Sequence, residues 1–152
     1  MTPLQHYHQD LAAGSLFPDP AQAHAIDCVQ QLYDDLVTAS LINRSSPVRR
    51  AMCLIRKKNK KSAPVRGIYF YGGVGRGKTY IMDILYESLP FKNKLRTHFH
   101  RFMQRVHAEL NVLKQQKNPL KQVAAQLALE ARVICFDEFY VSDIGDAMIL
   151  GG

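Results

Sequence analysis

The chain holds 152 residues, 47% hydrophobic and 22% charged, which suits one globular domain. It has no apolar run near the ~20 residues a membrane span needs. Met1-Thr2-Pro3-Leu4-Gln5-His6 has neither the layout of a secretory signal nor the arginines of a transit peptide.

Cys28, Cys53 and Cys135 are odd in number and widely spaced. They argue against a disulfide framework and a structural metal, and for a reducing, cytoplasmic location. The net charge of +7 is concentrated: between Asp35 and Asp83 there is no acid, and that interval holds eleven of the twenty Lys and Arg residues.

Residues 1–18 are polar and read as a partly ordered tail or a short helix. Asp19-Pro20-Ala21-Gln22 then opens a helix that runs to about Asn43. Asp19 suits the N-cap, Pro20 the first turn and Gln22 the third position of a capping box. Ile26, Val29, Tyr33, Leu36 and Ser40 or Leu41 mark its buried face. Gln22 has a second reading, because an amide donates and accepts at once and could contact an adenine ring. The cap is preferred, since the whole Asp-Pro-x-Gln signature is present.

From Arg44 to Arg66 the chain is rich in Ser, Pro and Lys, with blocks at Arg49-Arg50 and Arg56–Lys61. Such runs are usually solvated linkers. The functional alternative is contact with an anionic surface, either nucleic acid or membrane.

Gly67–Leu89 contains the stretch with the clearest chemistry. Ile68-Tyr69-Phe70-Tyr71 reads as a short buried strand. Gly72-Gly73-Val74-Gly75-Arg76-Gly77-Lys78-Thr79 then fits the phosphate-loop pattern G-x-x-x-x-G-K-[ST] at every fixed position. Gly72, Gly73, Gly75 and Gly77 clear side chains from the approaching face, so that N–H groups can form an anion nest. The start of the following helix adds its positive end. Lys78 suits the β- and γ-phosphates, and Thr79 a magnesium ion. Ile81, Ile84, Leu85 and Leu89 give the helix its apolar face, and Pro90 stops it.

Leu95–His100 alternates like a second strand, and a helix follows from Arg101 with a stripe of Phe102, Val106, Leu110 and Leu113. His98 and His100 would share a strand face and, with His107, could form a metal site. Structural roles are preferred, because no carboxylate or cysteine lies nearby in sequence. Asn118-Pro119 ends this helix and caps the next, which buries Leu120, Val123, Leu127 and Ala131. Val133-Ile134-Cys135-Phe136 is an apolar strand with Asp137-Glu138 at its end. Ser142-Asp143 then caps a last helix over Ile144–Leu150. Adjacent acids ending a buried strand are costly unless they face a site. In phosphate-loop ATPases the first holds magnesium and the second activates water.

The strings Val65–Thr79, Thr97–His107 and Cys135–Ile144 closely resemble the AFG-type ATPase family, AAA+ proteins with bacterial and mitochondrial members. The resemblance covers Asp19–Gly152. It implies an α/β fold with a parallel sheet in the order 5-1-4-3-2. It also implies Mg2+-dependent ATP hydrolysis in the cytoplasm and a role at the constricting division ring, with FtsZ or another ring protein as partner and self-association a further option. Gly72–Thr79 would bind the phosphates, Thr79 and Asp137 the metal, and Glu138 would be the catalytic base.

The expected division is an N-terminal helical segment over 1–43, a basic linker over 44–66 and a partial core over 67–152 with strands 1 to 3. The family's sensor residue, arginine finger and C-terminal part have no match here. The resemblance therefore implies a truncated chain with exposed sheet edges and little activity by itself. The runner-up is a nucleotide-dependent DNA- or membrane-binding module of helicase-loader type. A small-molecule kinase fits less well, for want of a basic lid.

Overall fold

Thr2 and Gln5 close a capping box at the start of α1 (Pro3–Ala12). The Thr2 hydroxyl accepts from Gln5 N–H at 3.3 Å, and Gln5 Oε1 accepts from Thr2 N–H at 2.9 Å. The first residues are thus helical. The computed structural model describes residues 1–44 and 65–151. It divides the chain into two compact units, Met1–Pro90 and Phe91–Gly152. Apart from its end residues, the expected basic linker 44–66 lies outside the described residues.

In the first unit, α1 packs with α2 (Pro20–Arg44) and α3 (Lys78–Ser88), and these two pack with each other. The helical spacing read from the sequence holds. Ile26 and Val29 of α2 are fully buried, and Ile81, Ile84, Leu85 and Leu89 in and just beyond α3 are buried. Leu41, the alternative to Ser40 on the buried face, is exposed, and Ser40 is buried. Gln30 Oε1 accepts from Leu4 N–H at 3.1 Å, tying α1 to α2. The Tyr80 hydroxyl donates to Asp10 Oδ2 at 2.5 Å, tying α1 to α3.

Two expectations are corrected here. Ile68–Tyr71 forms no strand, and Tyr71 is 86% exposed. A strand needs a hydrogen-bonded neighbour, and the only sheet among the described residues pairs two other strands. β-Forming composition cannot supply that neighbour. The capping box at Gln22 is also absent. Asp19 does cap, with Oδ1 accepting from Ala21 N–H at 2.7 Å. The Gln22 amide instead turns away and donates to the Arg76 carbonyl at 3.3 Å.

In the second unit, β1 (Lys94–His98) and β2 (Val133–Asp137) form a two-stranded parallel sheet, in register from Lys94 against Val133 to His98 against Asp137. The crossover between them carries α4 (Phe99–Val112) and α5 (Pro119–Glu130), as a parallel pair requires. The chain is therefore α/β. α6 (Ile144–Gly151) follows, with Asp143 Oδ1 accepting from Gly145 N–H at 2.6 Å.

β1 ends two residues earlier than its alternation suggested, because Phe99 belongs to a helical stripe with Met103 and Val106. These three pack with Val123 of α5 in one buried cluster, flanked by Phe102, Leu110, Leu113, Leu127 and Phe136. α4 ends at Val112, short of Asn118. Asn118 takes a left-handed φ of 56° before α5 and makes no side-chain cap. Arg105 joins the helices through Glu130 of α5 at 2.6 Å and also pairs with Glu109 one turn along α4 at 2.7 Å, and its hydrogen bond holds the Glu130 carboxyl below its usual range.

Phe99→Ala is expected to destabilise the second unit by about 3–5 kcal/mol, the usual cost of emptying a buried aromatic site, as read by urea unfolding. Burial and the Asp10 bond raise the Tyr80 hydroxyl above its ordinary value. A folded pKa raised in this way stabilises below the unfolded value near 10 and is lost as pH climbs toward the folded one. Tyr80→Phe should accordingly lower stability at pH 8, and the deficit relative to the parent should shrink above pH 10.

Candidate functional site

The phosphate loop lies in the first unit. Its backbone departs from regular structure where the sequence is richest in glycine: Gly72, Gly75 and Gly77 have φ of 133°, 79° and 77°. A Cβ added at Gly72, Gly73 or Gly75 would meet nothing within 4 Å. The surface at those positions is open, as a loop that admits a bulky anion must be. Val74 stands fully exposed. Thr79, in the first turn of α3, is also exposed.

Lys78 folds back over its own loop. Its ammonium donates to the Gly72 carbonyl at 2.9 Å and to the Gly73 carbonyl at 2.6 Å. These bonds hold the positive charge at the mouth of the loop, beside the N-terminus of α3. A phosphate arriving there would meet a charge already in place and the N–H groups of a helix start.

Sequence reading missed how the loop is braced from outside. The N-terminus of α2, more than fifty residues away in sequence, reaches it twice. Gln22 Nε2 donates to the Arg76 carbonyl, and Asp19 Oδ2 lies 3.8 Å from Arg76 Nη2. A Cβ on Gly77 would come within 2.7 Å of Gln22 Nε2. Gly77 therefore satisfies two demands, a left-handed backbone and close approach of the Gln22 amide. No local pattern signals the second demand.

The acid pair lies in the second unit. Asp137 is the last residue of β2, and Glu138 follows with φ of 52°. That left-handed turn is uncommon for a glutamate and is typical of functional positions. It takes Glu138 out of the pleat, where the sequence allowed both acids to leave strict alternation.

Arg96 of β1 donates through Nε at 3.2 Å and Nη2 at 3.1 Å to one oxygen of Asp137, Oδ2. The Glu138 side chain is 86% exposed, with Oε2 4.0 Å from His98 Nδ1. Phe136 and Phe139 flank the acids and both pack on Phe99, with ring centroids 5.7 and 4.5 Å away. Arg96, Phe99 and Phe139 were not singled out in the sequence, and Phe136 only as part of an apolar strand. The parallel register, which sets Arg96 one residue before the position opposite Phe136, would have been the only route to Arg96.

The three histidines go to separate partners. His98 ends β1, His100 lies on α4 with Gln104 Nε2 at 2.9 Å, and His107 Nε2 is 2.6 Å from Asp146 Oδ1 on α6. The shared strand face required by the metal reading is therefore absent, since the strand stops at His98. Among the described residues no cluster of three His, Cys, Asp or Glu side chains could hold a metal. The Thr79 hydroxyl in the first unit and the Asp137 carboxylate in the second are each, taken singly, oxygen donors of the kind a hard cation such as Mg2+ accepts.

The family model for AFG1-like ATPases matches residues 1–152, the whole chain. The chain belongs to the AFG1-like ATPase family. Relatives agree with this assignment. The cell division protein ZapE of Escherichia coli K12 is 45% identical, over all of this chain and 41% of its own length. An uncharacterized protein of Schizosaccharomyces pombe is 32% identical, over 98% of this chain and 38% of its own. The lactation elevated protein 1 homolog B of Danio rerio is 32% identical, over 97% and 38%. This AFG1-like chain thus spans about two fifths of the length of those relatives. No solved structure matches it.

Gly77→Ala is expected to cost about 1–3 kcal/mol from backbone strain alone and to push the Gln22 amide off Arg76. Thermal unfolding reads the first effect. Faster amide exchange in the loop reads the second.

Proposed function

We propose that this AFG1-like chain carries the nucleotide-binding and hydrolytic groups of a Mg2+-dependent ATPase with an AAA+ core. The observation that carries the proposal is the open phosphate loop, with Lys78 bonded across the Gly72 and Gly73 carbonyls at the start of α3.

On this reading Gly72 to Thr79 bind the triphosphate. Backbone N–H groups orient it, and Lys78 exchanges its two carbonyl partners for the β- and γ-oxygens. Thr79 and Asp137 would be the protein's ligands for Mg2+, directly or through water, and the ion would supply neutralisation of the triphosphate's charge. Arg96 fixes one Asp137 oxygen and so orients the other. Glu138 takes a proton from the attacking water as its oxygen bonds to the γ-phosphorus and the bond to the β–γ bridging oxygen breaks, giving ADP and phosphate.

The name of the Escherichia coli relative carries the proposal into cell division. A division-ring protein such as FtsZ is the proposed partner, and the cytoplasm the proposed place of action. No helix among the described residues is long and apolar enough to cross a membrane. The DNA- or membrane-binding alternative rests on residues 44–66, nearly all outside the described ones, and no observation favours it.

Two substitutions in the full chain separate binding from chemistry. Lys78→Ala should weaken ATP binding roughly 10- to 100-fold, the worth of charge-assisted hydrogen bonds. Glu138→Gln should leave affinity unchanged and slow hydrolysis roughly 10²- to 10⁴-fold, the usual share of a general base. Nucleotide titration and phosphate release read the two effects. Equal loss of binding in both variants would refute the division of roles.

A further inference from the structure

We propose that Gln22 reads the base of the nucleotide, with its side-chain oxygen accepting from the 6-amino group of adenine. This rests on the nucleotide-binding reading above and adds a specificity-determining residue to it.

The argument begins with the orientation of the amide. The Arg76 carbonyl can only accept, so the end of Gln22 that faces it at 3.3 Å must be the NH2 group. Reversing the amide would set two oxygens against each other. The oxygen is therefore committed to the other side. Oε1 is buried and, among the described residues, has no hydrogen-bond partner. A buried acceptor without a donor is unfavourable, and water or a ligand usually completes it. Here it belongs to a side chain already bonded to the phosphate loop, whose neighbour Gly77 has no Cβ to crowd it.

A hydrogen-bond donor carried by whatever fills that loop would complete Oε1. A nucleoside triphosphate with adenine offers two kinds, the 6-amino group and the ribose hydroxyls. The amide favours the first. Nε2 spends one hydrogen on Arg76 and keeps a second, so Gln22 presents a donor and an acceptor side by side in one plane. That pair matches the amino group and adjacent ring nitrogen of adenine, the usual bidentate partner of a glutamine amide. Guanine and hypoxanthine carry an oxygen at position 6, which would face Oε1 acceptor to acceptor.

The test measures affinities of the full chain for ATP, purine riboside triphosphate (which lacks the 6-amino group), ITP and 2′-deoxyATP, before and after Gln22→Ala. The parent is expected to bind ATP about 5- to 10-fold more tightly than purine riboside triphosphate, with ITP at least as weak. Its affinity for 2′-deoxyATP should equal that for ATP. Gln22→Ala should bring ATP and purine riboside triphosphate to the same affinity. Loosening of the loop by the lost Arg76 contact would weaken both alike and leave their ratio as the readout of base recognition.

A parent with no preference for the amino group, or a preference that survives Gln22→Ala, overturns the base-reading role while nucleotide binding stands. So does a preference lost with 2′-deoxyATP, which would assign Oε1 to the ribose. A parent that binds none of these nucleotides overturns both readings. The comparison within the parent needs no variant, so a misfolded Gln22→Ala chain would not shelter the proposal.

Discussion

A backbone that keeps its N–H groups free for an anion cannot also spend them on a ladder, so something else must hold its shape. In the phosphate loop, bonds from side chains to backbone carbonyls do this. Lys78 ties down Gly72 and Gly73 from inside, and Gln22 ties down Arg76 from outside. All three bonds use carbonyls and leave the amide side uncommitted. The loop is thus braced through the half of each peptide that the phosphate does not need.

That bracing depends on packing. Gln22 and Asp19 can reach Arg76 only because α2 is fixed, and α2 is fixed by burying Ile26 and Val29 in the helical assembly that carries α3. The Tyr80 bond to Asp10 adds α1 to the same assembly, two residues after Lys78. A helix that looked like a separate N-terminal segment in the sequence therefore supports the site.

The acid pair shows the same principle with different parts. Asp137 and Glu138 stand at a strand end, where pleat and pairing stop controlling direction. Aromatic packing of Phe136 and Phe139 on Phe99, the Arg96 bonds to Asp137, and the left-handed turn at Glu138 take over. The turn costs backbone energy and the packing offsets it, a combination common where geometry serves chemistry.

The sequence by itself determined what depends on nearest neighbours along the chain. The phosphate-loop pattern, the acid pair, the helices and most of their apolar faces follow from spacing and residue type, because helical hydrogen bonds and periodic burial are local. Tertiary structure decided what depends on residues far apart. Ile68–Tyr71 has strand composition, but a strand exists only with a neighbour, and the described residues provide none. Phe99 falls within the strand alternation of the sequence, yet burial with Met103, Val106 and Val123 makes it the first position of a helical stripe. Gln22 satisfied every local rule for a capping box, yet the Arg76 carbonyl, 54 residues on, took its amide. A local signature states which bonds are available, and the folded chain selects among them by bringing a competing partner within reach.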